Sequence, residues 1–382
     1  MCCGSHRAAD ERGHGGPRVR AGAARRRLPR VSGPGDEAAE AYAAGPVAAL
    51  RRIAFLLERT QQETWKVKAY RAAADTILQL HADELRARVR EGTLRELPGI
   101  GAATAGVVEA AVQGRVPDRL ATLERECGGP LVEGGTTLRA ALRGDLHSHS
   151  DWSDGGSPIE EMAFTAIEVG HEYLVLTDHS PRLKVANGLS VARLRQQLEV
   201  VDAVNAHLDG DFRLLKGIEV DILEDGALDQ TEEMLGRLDV RVASVHSKLR
   251  MGADEMTRRM VAAVRNRFTN VLGHCTGRLV RGSRGIRPQS QFDARAVFEA
   301  CAEHGVAVEI NSRPERRDPP TDLLRLADEI GCLFSIDSDS HAPGQLDFVI
   351  HGCARAEELG IDPERIVNSW PVERLLEWAT PS

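Results

Sequence analysis

The chain has 382 residues, 42% of them apolar, and a formal net charge of -8. That length and apolar content suit one large domain and one small one, and the acidic balance excludes a protein that coats nucleic acid through its overall charge. No apolar run approaches the ~18 residues of a membrane span, and the seven cysteines are scattered without a C-x-x-C pair, which reads as a reduced, cytoplasmic protein.

Residues 1–35 carry Arg18, Arg20, Arg25, Arg26, Arg27 and Arg30 among Gly, Ala and Pro. With no apolar periodicity to define a helix face, they read as a disordered basic arm. From 36 to 126 the spacing turns helical: Val47, Leu50, Ile53, Ala54 and Leu57 recur at three and four, as do Val67, Tyr70, Ala74, Ile77 and Leu78. The stretch Leu97-Pro98-Gly99-Ile100-Gly101 follows. Pro98 stops a short helix, the glycines permit a tight turn, and the next helix starts with its amide groups exposed. Such a turn cradles a phosphate, directly or through a cation, so Gly99, Ile100, Gly101 and Thr104 are candidate nucleic-acid contacts. A helical module that only packs on its neighbour is the plainer reading of the same residues.

The turn resembles the helix-hairpin-helix motif of DNA-binding proteins, and the run from Trp65 to Ala74 resembles the small N-terminal domain of family X DNA polymerases. In that domain the helix after the hairpin can carry lysines that form a Schiff base. Ala103, Gly106 and Val107 stand there instead, so no lyase chemistry is expected. Residues 127–137, with Gly128-Gly129-Pro130 and Gly134-Gly135, read as a linker too short to hold a polymerase palm.

Over residues 138–382 strand-like runs at 173–177, 212–220, 240–245, 270–273, 306–310 and 332–336 alternate with helical patterns at 159–169, 191–208, 254–267, 293–303, 322–330 and 345–359. About seven such units in ~240 residues predict a parallel α/β barrel, TIM-like, rather than an open sheet. His147 and His149 flank Ser148 where an apolar run ends, and His179, Glu219, His246, His274, Asp339 and His341 each follow such a run. A lone histidine is more often structural than a ligand. Seven strand ends sharing one face make a joint metal site, the geometry that metal-assisted hydrolysis requires.

The constellation resembles the PHP (polymerase and histidinol phosphatase) domain, also in Thr177-Asp178-His179-Ser180, Gly273-His274-Cys275-Thr276-Gly277 and Asn368-Ser369-Trp370-Pro371. It is more like the PHP domain of bacterial family X polymerases than the free-standing phosphatases. The resemblance implies a distorted (β/α)7 barrel behind the small all-α domain. It also implies three divalent ions: one held by His147, His149, Glu219 and Asp339, a second by Asp154, His179 and His341, a third by Glu219, His246 and His274. Several PHP phosphatases place a histidine where Asp154 stands, and the extra carboxylate favours a hard ion such as Mn2+ over Zn2+ alone, with Fe a further option. Asp145 and Asp178 suit hydrogen bonds that fix histidine tautomers, or else turn caps. Arg313, with Arg316, Arg317, Lys248 and Arg250, is a candidate phosphate clamp. The expected function is a phosphoesterase acting on DNA ends as a 3'-5' exonuclease or 3'-end trimming enzyme. The alternatives are a small-molecule phosphatase of histidinol-phosphatase type and a non-catalytic DNA-binding or scaffold protein.

Overall fold

The computed structural model describes residues 45–208, 212–282 and 285–381, and the basic arm expected over 1–35 lies outside them. Pro46, whose fixed φ and missing N–H suit a first helical turn, opens α1 (Pro46–Arg59). Helices α2 (Thr64–Leu78), α3 (Ala82–Glu91), α4 (Ala102–Val112) and α5 (Asp118–Cys127) complete the helical domain. Its core is the one the spacing predicts: Leu50, Ile53, Ala54 and Leu57 meet Val67, Tyr70, Ala74 and Ile77 in one cluster with Val107 and Val108. Leu78 departs from that stripe, because α2 ends there and its side chain is 55% exposed.

Helix α6 (Thr136–Ala141) leads into the barrel, whose elements alternate as β1 (Gly144–Ser148), α7 (Ile159–Glu168), β2 (Tyr173–Leu176), α8 (Val191–His207), β3 (Arg213–Asp221), α9 (Glu232–Leu235) and β4 (Val240–Ser244). They continue as α10 (Ala253–Val264), β5 (Val271–Leu272), α11 (Ala294–His304), β6 (Ala307–Asn311), α12 (Thr321–Ile330), β7 (Phe334–Asp337), α13 (Val349–Leu359) and α14 (Val372–Ala379). The seven strands are all parallel and pair in sequence order. Every residue of β1, β2 and β4 to β7 is buried, which is why these strands read as continuous runs instead of alternating ones.

Between β7 and β1 the barrel is nearly closed. The Leu146 amide donates to Asp337 Oδ1 at 2.9 Å, and Ser148 bridges to Ser340. Strand β3 is the longest; Arg213 to Lys216 pair with β2, and Gly217 to Asp221 pair with β4. Gly217 stands where the partner changes, and a Cβ there would lie 2.4 Å from Val175 Cγ1. The sequence pattern missed the four-residue α9 in the β3–β4 crossover and the closing helix α14, while the strand expected over 270–273 forms as β5, only two residues long. No helix among the described residues is long and apolar enough to cross a membrane.

Candidate metal centre

All nine expected donors come from the C-terminal ends of the strands or the loops just beyond. They fall into four overlapping groups whose donor atoms lie within 4.8 Å of one another: His149, Asp154, His179 and His341; His147, His149 and Asp339; His147, Glu219 and His274; His179, Glu219 and His246. The nine residues expected to bind metal thus lie together, and the groups overlap: His149 also stands near Asp154, and His179 near Glu219.

Glu219 is the hub. Its Oε2 is 2.8 Å from His179 Nδ1, 3.4 Å from His147 Nε2 and 3.7 Å from His149 Nε2. Its Oε1 is 2.8 Å from His274 Nε2 and 3.2 Å from His246 Nε2. Asp154 Oδ1 lies 3.4 Å from Nε2 of both His179 and His341, and Asp339 Oδ1 lies 3.5 Å from His149 Nε2.

A fit to cations can be tested on the polar atoms left over. His147 Nε2, both nitrogens of His149, His179 Nδ1, His246 Nε2, His274 Nδ1 and Glu219 Oε2 are buried with no hydrogen-bond partner among the described residues. Buried polar atoms are normally satisfied, so seven in one cluster mark a place for positive charge. The ionisation pattern agrees. Burial opposes charge on His147, yet Glu309, Glu219 and Asp339 outweigh it and raise its pKa well above the ordinary value. Burial likewise opposes charge on His179, but Glu219 and Asp154 push its pKa up to about 10. At His149 burial wins, reinforced by His341 and His179, and the pKa falls to about 3. Glu219 is held far below the usual carboxylate range despite burial, by His246 and His147; Asp339 is held there by Arg316 and His147. Protons on some imidazoles balance the carboxylates, and divalent ions, which compete for the same lone pairs, would replace them. The donor set therefore fits metal.

Outer groups aim these donors. Asp221, two residues beyond Glu219 on β3, has Oδ1 2.5 Å from His246 Nδ1. Glu309 Oε1 is 2.5 Å from His147 Nδ1, while its Oε2 accepts the His274 amide and Asn311 Nδ2. A carboxylate on Nδ1 fixes the tautomer that leaves Nε2 a free lone pair. The sequence reading gave that task to Asp145 and Asp178 and missed both Asp221 and Glu309. Asp145 instead accepts the backbone amides of His147 and Ser338, at 3.1 and 3.2 Å, and burial raises its pKa to about 6. Asp178 accepts Ser150 N and Oγ, Ser153 Oγ and Gln197 Nε2, holding the turn that carries Asp154. Both are loop organisers, the capping alternative. The available signal was period two on β3 and β6, which puts Asp221 on the face of Glu219 and Glu309 on the face of Asn311.

Arg313 and Arg316 are buried rather than offered to solvent. Arg313 Nη1 donates to the Asp339 carbonyl at 2.8 Å, and Arg316 Nε donates to Asp339 Oδ2 at 3.0 Å. They hold a donor, while Arg317, Lys248 and Arg250 are the exposed cations. In the hairpin Gly99 has φ +77° and Gly101 is exposed. Ile100 is buried, and the buried Thr104 uses its hydroxyl on Gly101, accepting its N–H at 2.9 Å. Two of the four hairpin candidates thus shape the turn from inside.

Residues 145–313 match the family model described as the PHP domain, and residues 44–116 match the one described as a helix-hairpin-helix domain. A DNA polymerase/3'-5' exonuclease PolX of Bacillus subtilis (strain 168) is 38% identical over 228 residues, 60% of this chain but only 39% of that protein. The probable phosphatase YcdX of Escherichia coli (strain K12 / DH10B) is 27% identical over 245 residues, 61% of this chain and 92% of its own length. Among solved structures, a histidinol phosphate phosphatase of Lactococcus lactis, crystallised with zinc, L-histidinol and phosphate, superposes with a TM-score of 0.42 at 18% identity, covering 58% of this chain and 95% of that one.

Proposed function

We propose that this chain, which carries a helix-hairpin-helix domain followed by a PHP domain, is a metal-dependent phosphoesterase that cleaves phosphodiesters at the 3' ends of DNA. The observation that carries the reading is that the helical domain is no loose appendage: α1 packs on residues Pro343–Phe348, the segment directly after His341. A module able to hold a phosphate backbone is thereby fixed to the wall of the metal centre. The relative named for a 3'-5' exonuclease supports the same substrate class.

Three divalent ions held by the nine donors would neutralise phosphoryl oxygens and acidify a water. The chain's own residues do the rest. Asp221 and Glu309 keep His246 and His147 in the ligating tautomer, Glu219 is shared among the groups, and Arg313 and Arg316 fix Asp339. Exposed Lys248, Arg250 and Arg317 supply positive charge for a strand approaching the mouth.

The test is product analysis with Mn2+-loaded protein on a 5'-labelled single-stranded oligonucleotide. A ladder shortening one nucleotide at a time supports the proposal; hydrolysis of p-nitrophenyl phosphate with no nucleotide release favours a small-molecule phosphatase, for which the match over 92% of YcdX is the supporting observation. Ala103→Glu separates the two at an exposed position of the first turn of α4. A carboxylate there suits the helix dipole but repels a phosphate. It raises KM for DNA about tenfold and lowers the salt dependence of binding, leaving the phosphomonoester rate unchanged.

A further inference from the structure

Two lines of contact run from the end of α1 and the turn after it to the donors beyond β7. In the first, Glu58 Oε2 accepts the Gly344 amide at 2.8 Å, and the neighbouring Gln345 accepts the His341 amide through Oε1 at 2.9 Å. Arg59 grips the same segment with Nε on Asp347 Oδ2 at 2.5 Å, and its other nitrogens donate to the carbonyls of Cys127 and Gly129. In the second, Gln61 Nε2 donates to Glu315 Oε1 at 2.5 Å, and Glu315 Oε2 lies 3.7 Å from Arg313 Nε. Arg313 Nη1 in turn donates to the Asp339 carbonyl and stands 2.8 Å from His341 Nδ1.

The contact is costly if its task is only to join two domains. Glu58 and Arg59 are 5% and 8% exposed, charges taken out of water. Arg71 holds Glu58 in a two-pronged pair at 2.7 and 3.1 Å and also reaches Glu161 of α7 at 3.1 Å. An apolar seam would join the domains without this desolvation, whereas directional bonds to buried charges fix a position. Position is also what Gly344 protects: a Cβ there would lie 2.3 Å from the Phe55 carbonyl oxygen and 2.7 Å from Glu58 Cβ. The first line ends on His341 and the second on both Asp339 and His341, the two donors that follow β7.

We infer that the end of α1 and the turn after it are a positioning element of the metal centre: Glu58, Arg59 and Gln61 set His341 and Asp339 in place, so the seating of the helical domain governs the affinity of the ion held at His341. This rests on the metal-centre reading above and extends it to residues about 280 positions away in sequence. It also means that removing the helical domain would damage the metal site itself, so truncation does not report on DNA binding alone.

The test is stepwise Co2+ titration of the full chain, followed by visible absorption, with thermal unfolding as the check on folding. Glu58→Ala weakens one step by about 10- to 100-fold, the range for loss of a group that orients a ligand, and leaves the other steps in place. His341→Ala abolishes the same step, and adding Glu58→Ala to it changes nothing further. Because Glu58 is buried, Gln61→Glu gives a second probe on an exposed loop: it sets a carboxylate against Glu315 and weakens the same step, and adding Glu315→Gln restores it. Variants that fold and titrate like the wild type, or that weaken every step alike, overturn the inference. A wild type that takes up no Co2+ at all overturns the metal-centre reading instead.

Discussion

Replacing Glu309 by glutamine asks how far the donors depend on groups that never touch an ion. Its two carboxylate oxygens serve as acceptors only, Oε1 for His147 Nδ1 at 2.5 Å, Oε2 for the His274 amide and for Asn311 Nδ2 at 3.2 Å. Glutamine keeps the shape but offers one oxygen and one NH2. With the oxygen towards His147, the NH2 faces two donors, a buried conflict costing roughly 1–3 kcal/mol of stability. With the NH2 towards His147, Nδ1 must accept, the proton moves to Nε2, and that nitrogen loses the lone pair facing Glu219. Either way, affinity for divalent metal falls about 10- to 100-fold, equivalent to about 1.4–2.7 kcal/mol. Calorimetric titration with Mn2+, alongside thermal unfolding, measures both terms. An affinity within twofold of the wild type in a folded variant refutes the assignment of Glu309 as the group that orients His147.

Gly344→Ala forces a Cβ against the Phe55 carbonyl and is expected to cost about 1–3 kcal/mol, as overpacking does; urea unfolding measures it, and a neutral result shows that α1 and this segment part easily. His171 is buried with both ring nitrogens unpartnered among the described residues, and burial, then Arg139, hold its pKa well below the ordinary value. Protonation thus favours the unfolded chain, so the stability it contributes is complete above its unfolded pKa near 6.5 and is lost as the pH falls below it. His171→Leu accordingly narrows the stability difference between pH 7.5 and 5.5 by about 1.4 kcal/mol; unfolding curves at the two pH values decide it, and an unchanged difference contradicts the depressed pKa. Asp221→Ala, which takes the acceptor from His246 Nδ1, lowers metal affinity by about tenfold, and an unchanged Mn2+ titration excludes that role.

The barrel was legible because strands buried on both faces leave apolar runs, and because every run but that of β6 stops at or just before a residue able to bind metal, from His147 to His341. What escaped the reading depends on direction and distance in space. Asp145 sits closer in sequence to His147 than Glu309 does, yet it turns to the backbone of β1 and Ser338 while Glu309 reaches the ring across the barrel. Arg313 looks like an exposed phosphate clamp in sequence, but the loop after β6 folds it inward onto Asp339. The split of donors into groups is set by β3, whose change of partner at Gly217 brings Glu219 within reach of five histidines. The seating of α1 on Pro343–Phe348 left only Gly344 as a sign, a glycine whose reason is a backbone close by in space.

Everything functional here depends on the nine donors holding divalent ions. Elemental analysis after dialysis of the Mn2+-loaded protein, run beside His147→Ala and His149→Ala, addresses this directly. Three ions per wild-type chain, with fewer in both variants, is the expected result. A folded wild-type chain that retains no metal contradicts it, leaving a barrel whose buried histidines serve another purpose.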